Sequence, residues 1–112
     1  MTDRPARRGE IWLLDLGDPI GHEAGLRGPA LVLSEDKFNR HGLVTVLPIT
    51  STDKPYPTRI PVSAERSGLR HRSFVQAEHI RTVAAQRMVH RLGVVGDEMI
   101  RVERAVRLLL RL

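Results

Sequence analysis

The chain has 112 residues, no cysteine and a formal net charge of +5, with 18 lysines and arginines against 13 acidic residues. This length suits one domain with its own core, and the lack of cysteine excludes disulfides, thiolate metal sites and cysteine nucleophiles. The excess of arginine favours a polyanionic partner, although an arginine-rich proteome would give the same balance.

The amino-terminal segment is charged and lacks the apolar run that a signal peptide requires. We therefore predict a flexible basic tail over residues 1–8 and a single domain over residues 9–112. No segment approaches the length of a membrane span. These features predict a soluble, cytoplasmic protein that does not contact a membrane.

Short strands dominate the predicted structure. Apolar or alternating segments predict strands at residues 10–16, 29–33, 43–50, 58–62 and 89–95. Ala30–Leu33 is apolar on both faces and is expected to be central, whereas Pro48 should mark a bulge or an edge because it cannot donate to a ladder. Residues 73–83 alternate and predict one more strand, with polar side chains facing a cleft.

Three helical segments complete the prediction, one of them a turn at residues 84–88. Ser34 can cap a single turn that ends before Gly42, and Asp97 can cap the one long helix. Along that helix, Glu103 and Arg107 are placed to pair, and an apolar stripe lies on the other face. The stripe consists of Met99, Val102, Val106, Leu109 and Leu110. The chain is therefore predicted to be mainly β, a small barrel-like sheet with a carboxy-terminal α-helix.

The loop from Gly21 to Pro29 carries reactive side chains directly before a strand predicted to be buried. RNA cleavage without a metal needs a base for the 2′-hydroxyl proton, a donor for the leaving 5′-oxygen, and positive charge on the phosphate. Glu23 is a candidate base, Arg27 a candidate cation, and Thr50 or Ser51 a candidate donor to a phosphate oxygen. Each also has an ordinary interpretation, as a solvated charge, a carbonyl or carboxylate partner, or a strand former.

Other side chains are candidates for binding RNA. Thr52 follows a strand end, where its hydroxyl can face a ligand, and His22 is a possible proton carrier that could equally be an exposed loop residue. Glu78 and His79 could line a groove or pair across strands. A basic loop could steer RNA or meet an acidic partner segment, and it contains Arg66, Arg70, His71 and Arg72. The five histidines are too scattered to form a metal set, so neither a metal nor another cofactor is expected.

Several motifs occur together in one order along nearly the full chain. They are Arg8-Gly9-Glu10-Ile11-Trp12, Gly21-His22-Glu23, Arg27-Gly28-Pro29-Ala30-Leu31-Val32-Leu33-Ser34, Val46-Leu47-Pro48-Ile49-Thr50-Ser51, Gln76-Ala77-Glu78-His79-Ile80-Arg81-Thr82 and Arg91-Leu92-Gly93. With these motifs the chain resembles the MazF/PemK/Kid family of toxins from toxin–antitoxin pairs. The resemblance implies an SH3-like barrel, a homodimer, sequence-selective cleavage of single-stranded RNA without metal, and neutralisation by a cognate antitoxin.

The resemblance also assigns site residues. The catalytic threonine of the family falls on Thr50, and the glutamate of its Gly-x-Glu motif falls on Glu23. The family usually places arginine immediately before the proline, whereas this chain has Gly28 there and Arg27 one residue earlier. The freedom of Gly28 could let Arg27 reach the same pocket; otherwise cleavage would be weak or absent.

Two alternatives share the predicted barrel. One resembles the CcdB toxins, which dock onto DNA gyrase without cutting RNA, and it is motivated by Gly28 in the arginine position. The other is an RNA-binding module without chemistry. The RNA recognition sequence is expected to depend on the loops 53–57 and 63–72.

Overall fold

The computed structural model describes residues 4–17 and 27–112. Seven strands, β1 to β7 in chain order, form one antiparallel system within these ranges. The strands are Glu10–Asp15, Arg27–Val32, Leu43–Thr50, Arg59–Val62, Ser73–Gln76, Arg81–Ala84 and Met88–Val94. A single-turn helix, α1, spans Asp36–Asn39, and the long helix α2 spans Glu98–Leu110. The predicted mainly β fold with one long carboxy-terminal helix is confirmed.

The strand β3 lies at the centre of the system. The strands follow the order β4-β5-β3-β2-β1-β7, and β6 pairs with the first half of β3 while β5 pairs with its end. Pro48 therefore lies where one edge of β3 passes from β6 to β5, which is a place where a missing N–H is tolerated. The sequence predicted a bulge or an edge at Pro48; β3 is instead a central strand, and Pro48 lies in the gap between its two partners on one side.

Residues 73–83 do not form the single strand that their alternation predicts. The segment is divided into β5 and β6 by a 3-10 turn at Ala77–His79. The turn lets β5 pair with β4 and the end of β3, while β6 reaches back to the start of β3. Alternating side chains continue across the turn, so the pattern could not reveal this change of partner.

Successive side chains of a strand point to opposite faces of the sheet, and a core cluster covers each of the two faces. One face carries Ile11, Leu31 and Leu47, which pack with Val102 and Val106 of α2. The other face forms a second cluster, which contains Ala6, Trp12, Leu14, Ala30, Val32, Val44, Val46 and Val83. This two-sided burial explains why residues 30–33 are continuously apolar and confirms that β2 is central.

The helix α2 differs from its prediction in three details. Asp97 occupies the position before the helix but its side chain makes no capping hydrogen bond. Glu103 forms an ion pair with Arg8 instead of Arg107. Leu109 and Leu110 are exposed, because the buried stripe ends at Val106. In α1, likewise, Ser34 does not cap the turn, and its hydroxyl contacts the side chain of Asn39.

The segment before β1 is attached to the sheet through a buried carboxylate. Glu10 accepts hydrogen bonds from the Arg7 N–H at 2.8 Å, the Trp12 Nε1–H at 3.0 Å and the Arg91 Nε–H at 3.0 Å, and it forms an ion pair with Arg4. Burial by itself would raise the pKa of Glu10, but the hydrogen bonds from Arg4, Trp12 and Arg7 outweigh it and lower the pKa to about 2. Residues 4–8, assigned to a basic tail by composition, are thus held against the domain.

Within the part of the chain that the structure describes, no helix has the length and apolar character needed to cross a membrane.

Candidate functional site

A surface groove of about 610 Å³ lies where β2 begins and β3 ends. Because the two strands are antiparallel neighbours, the first residue of one and the last residue of the other meet at the same end of the sheet. The loop before β5 forms the opposite wall. The polar and charged side chains in the lining are Arg27, Thr50, Ser51, Arg70, His71, Ser73 and Gln76. The structure therefore brings together Arg27, Gly28, Thr50, Ser51 and Arg70 from the predicted site.

Arg27 is held at the rim by an exposed ion pair. It lies opposite Asp15 in the register of β1 and β2, and its Nη1–H donates to Asp15 Oδ2 at 3.0 Å. The side chains of both residues remain about half exposed, at 54% and 43%. An ion pair this exposed contributes about 0–1 kcal/mol. A phosphate can therefore replace Asp15 as the partner of this guanidinium at little cost.

The register also locates Gly28 relative to Thr50. Ala30 pairs with Pro48, so continued alternation puts Gly28 and Thr50 on one face of the sheet and Arg27 on the other. A Cβ atom built at Gly28 meets nothing within 4 Å. Glycine at this position thus leaves open space beside Thr50, while the arginine one residue earlier approaches the groove from its rim.

The hydroxyl of Thr50 has a defined partner. The Thr52 N–H donates to Thr50 Oγ1 at 3.1 Å, and Thr50 pairs with Phe74 of β5 across the ladder. Ser51 lines the groove, whereas the side chain of Thr52 does not belong to the lining. Because the Thr52 N–H occupies an acceptor site on Thr50 Oγ1, the hydroxyl proton of Thr50 is available to an external oxygen.

The loop that carries Arg70 is held tightly against β7. The Val94 N–H donates to the carbonyl of Arg66 at 2.9 Å. Gly68 has a φ of +75°, and a Cβ atom there would lie 2.1 Å from the carbonyl oxygen of Leu92. Only glycine fits such an approach without a shift of the backbone. The loop therefore presents Arg70 to the groove from a fixed position.

Arg72 lies outside this groove. Its guanidinium is 5.1 Å from the centre of the Phe74 ring and 3.9 Å from Asp53. With a side chain that is 78% exposed, it is available to solvent near the outer side of the β3–β4 loop.

Glu78 and His79 also lie outside the groove, in the 3-10 turn between β5 and β6. The Glu78 carboxylate accepts hydrogen bonds from Thr58 Oγ1 and Arg59 Nε, both at 2.7 Å. Burial would raise the pKa of Glu78, but the hydrogen bonds from Thr58 and Arg59 dominate and lower it. Glu78 is thus engaged in a partly buried ion pair with Arg59.

His22 and Glu23 lie outside the described residues. Within the described ranges, no three histidine or acidic side chains are grouped as a metal site would require. Two contacts were not predicted from the sequence: the ion pair of Asp15 with Arg27 and that of Arg59 with Glu78. A lone arginine in the apolar segment Thr58–Val62 was a signal for the second, because a buried cation needs a carboxylate.

Comparison with known proteins gives a consistent result. A profile of the family described as "PemK-like, MazF-like toxin of type II toxin-antitoxin system" matches residues 7–110. The chain is 39% identical over 110 residues to endoribonuclease MazF9 of Mycobacterium tuberculosis, covering 91% of this chain and 93% of the relative. It is 29% identical over 110 residues to endoribonuclease EndoA of Bacillus subtilis, covering 95% of each chain.

Solved structures agree with the sequence relatives. A crystal structure of MazF from Deinococcus radiodurans superposes with a TM-score of 0.86 at 31% identity, covering 98% of this chain and all (100%) of the other. The MazE–MazF crystal structure (Form-II) from the same organism gives a TM-score of 0.79 at 29% identity, covering 96% of this chain and 97% of that one. From the profile match, the relatives and the shared fold, we conclude that the chain belongs to the PemK-like, MazF-like toxin family of type II toxin–antitoxin systems.

Proposed function

We propose that this protein is an endoribonuclease toxin that cleaves single-stranded RNA at selected sequences by transesterification, using its own side chains without a metal ion. The observation that carries the proposal is the groove, which gathers Arg27, Thr50, Ser51 and Arg70 from three separate segments. Membership of a family whose relatives are named endoribonucleases supports the reaction class.

In the proposed reaction, the 2′-hydroxyl of the substrate loses its proton and attacks the adjacent phosphorus. The bond to the 5′-oxygen breaks, and this oxygen takes up a proton from water, which leaves a 2′,3′-cyclic phosphate and a 5′-hydroxyl. Arg27 releases Asp15 and binds the phosphate oxygens, where negative charge increases in the transition state. The hydroxyl of Thr50 donates a hydrogen bond to a phosphate oxygen, and Glu23, by resemblance to the family, accepts the 2′-hydroxyl proton as the base.

The groove also supports a binding role for its other residues. Arg70 and His71 stand on the wall opposite Thr50, and Arg70 adds a second cation for the substrate backbone. Gly28 and Ser51 are proposed to contact the substrate near the scissile bond, together with His22, which precedes β2 in the sequence. Thr52, Arg72, Glu78 and His79 are proposed to contact RNA only beyond the groove, since their side chains do not line it.

A cleavage assay tests the proposal. Purified protein is incubated in EDTA with a long unstructured RNA, and the new ends are mapped and analysed for cyclic phosphate. Thr50→Ala and Arg27→Ala are each expected to reduce kcat at least about a hundredfold. Matched controls are Thr45→Ala, on the same strand as Thr50 and with its hydroxyl 2.7 Å from that of Thr82 in β6, and Arg87→Ala, at an exposed position outside the groove.

The outcomes separate the competing functions. Cleavage by the Thr50→Ala and Arg27→Ala variants at the wild-type rate would reject the site. RNA that is bound but remains intact would support a binding module. Inhibition of DNA supercoiling with intact RNA would support the CcdB-like alternative.

We further propose that the toxin is a homodimer neutralised by a cognate antitoxin. The MazE–MazF crystal structures of the Deinococcus radiodurans relative support the antitoxin. Apolar side chains left exposed on α2 support self-association, and they include Ile100, Leu108 and Leu110. Light scattering gives the oligomeric state, and co-expression with the acidic product of a neighbouring open reading frame tests for rescue of growth.

A further inference from the structure

Arg59 of β4 makes two directed contacts although its side chain is only 8% exposed. Its Nε–H donates to Glu78 Oε2 at 2.7 Å, while its Nη1–H donates to the carbonyl of Thr52 at 2.8 Å. The guanidinium also lies 5.2 Å from the centre of the Tyr56 ring. Its rigid fork thus joins a fixed carboxylate to the backbone of the β3–β4 loop.

Thr52 is held on both sides. Its carbonyl accepts from Arg59, and its N–H donates to Thr50 Oγ1 at 3.1 Å. A continuous chain of contacts therefore runs from Glu78 through Arg59 and Thr52 to the hydroxyl of Thr50. Loss of the Arg59 contact would free Thr52, and with it the N–H that sets the orientation of the Thr50 hydroxyl.

We propose that Arg59 is a positioning residue for RNA cleavage: by anchoring Thr52, it fixes the hydroxyl of Thr50 with its proton directed into the groove. This inference rests on the proposed function of Thr50. Arg59 itself does not line the groove, and its charge is paired with Glu78.

The anchor persists over the pH range in which cleavage is measured. The pKa of Glu78 is lowered, because the hydrogen bonds from Thr58 and Arg59 outweigh the effect of burial. The contact with Thr52 is therefore available to every substrate molecule and is not a pH switch.

The variant Arg59→Lys tests the proposal, because a single ammonium retains the charge but lacks the fork that serves Glu78 and Thr52 together. We expect kcat to fall about tenfold with KM unchanged within about twofold, since orientation is lost and substrate binding is not. The double variant Thr50→Ala/Arg59→Lys should be no slower than Thr50→Ala, because both substitutions remove the same hydroxyl function.

A measurement without RNA supplies an independent readout. Amide hydrogen exchange at Thr52 should accelerate about tenfold or more in Arg59→Lys, because the carbonyl of Thr52 loses its hydrogen bond from Arg59 and the loop opens more often. Arg91→Lys is the matched control: this arginine also donates Nε–H to a glutamate, Glu10, at 3.0 Å, but it lies outside the groove. It should leave kcat and Thr52 exchange unchanged.

If Arg59→Lys does not fold, Thr52→Pro is the alternative variant. It removes the Thr52 N–H that donates to Thr50 Oγ1, at an exposed position, and should lower kcat to a similar extent. Wild-type kcat in Arg59→Lys or Thr52→Pro, or a further loss of rate when Arg59→Lys is added to Thr50→Ala, would overturn the positioning role. Full activity of Thr50→Ala would instead reject the proposed site, which the single variant reveals independently of Arg59.

Discussion

Replacement of Glu10 by glutamine should destabilise the fold in a pH-dependent way. The carboxylate is 7% exposed and receives charged or polar donors from Arg4, Arg7, Trp12 and Arg91. Its pKa is lowered from 4.5 to about 2, and this difference corresponds to at most about 3 kcal/mol of folding free energy at pH 7. Glu10→Gln keeps the shape of the side chain but removes the charge, so it isolates this contribution.

The sign of the pH effect follows from the lowered pKa. The contribution of Glu10 to the free energy of unfolding is complete above pH 4.5 and is lost as the pH falls toward 2. In this range Glu10 takes up a proton in the unfolded chain but not yet in the folded protein. Urea unfolding at pH 7 should show Glu10→Gln less stable than wild type by about 2–3 kcal/mol. At pH 3.5 the difference should be smaller by roughly 1 kcal/mol.

Glu103→Gln is the control for this experiment. Its carboxylate pairs with Arg8 on the surface and is about half exposed, so a change below about 0.5 kcal/mol is expected. A difference between Glu10→Gln and wild type that stays constant from pH 7 to pH 3.5 would refute the electrostatic explanation. It would instead indicate a loss of packing around Glu10.

Three further predictions concern the groove. Asp15→Asn should lower the KM for RNA by up to about fivefold, because Arg27 loses its competing partner; an unchanged or higher KM in steady-state cleavage assays would count against this. Gly68→Ala should lower the free energy of unfolding by about 2 kcal/mol or more in urea titrations, because its Cβ atom would lie 2.1 Å from the backbone of β7; wild-type stability would contradict the close approach. Arg70→Gln should weaken RNA binding and reduce the slope of log K against log salt by about 0.7, whereas Arg72→Gln, which removes an equal charge outside the groove, should change the slope less. Equal effects of these two substitutions would show that general charge, and not the groove, directs binding.

The strand pattern was predictable because the sheet buries both of its faces. The apolar run in β2 and the bounds of β3 at Leu43–Thr50 follow directly from this burial. The division of residues 73–83 was not predictable, because alternation records the direction of side chains and not the strand with which each half pairs. The exposed end of α2 has a similar origin: the sequence supplies an apolar stripe, but the extent of the sheet decides where burial ends.

The candidate site was partly predictable for a geometric reason. Neighbouring antiparallel strands bring Arg27 and Thr50 to one end of the sheet, so a prediction of adjacent strands is sufficient to place them together. The ion pair of Arg59 with Glu78 joins residues 19 positions apart on different elements, and no periodicity links them. Its effect on Thr50 passes through the backbone of Thr52, which a sequence motif does not describe.

The contact between Gly68 and the backbone of β7 has a consequence for altering base preference. Since the main chain from Arg66 to Gly68 is held against β7, the side chains of Arg70 and His71, which line the groove, can be exchanged without rebuilding the wall that supports them. A randomised library confined to these two positions would vary the chemistry offered to a nucleobase on an unchanged frame. Ribonucleases with altered base preference should therefore be obtained from this short segment while Gly68 is left unchanged.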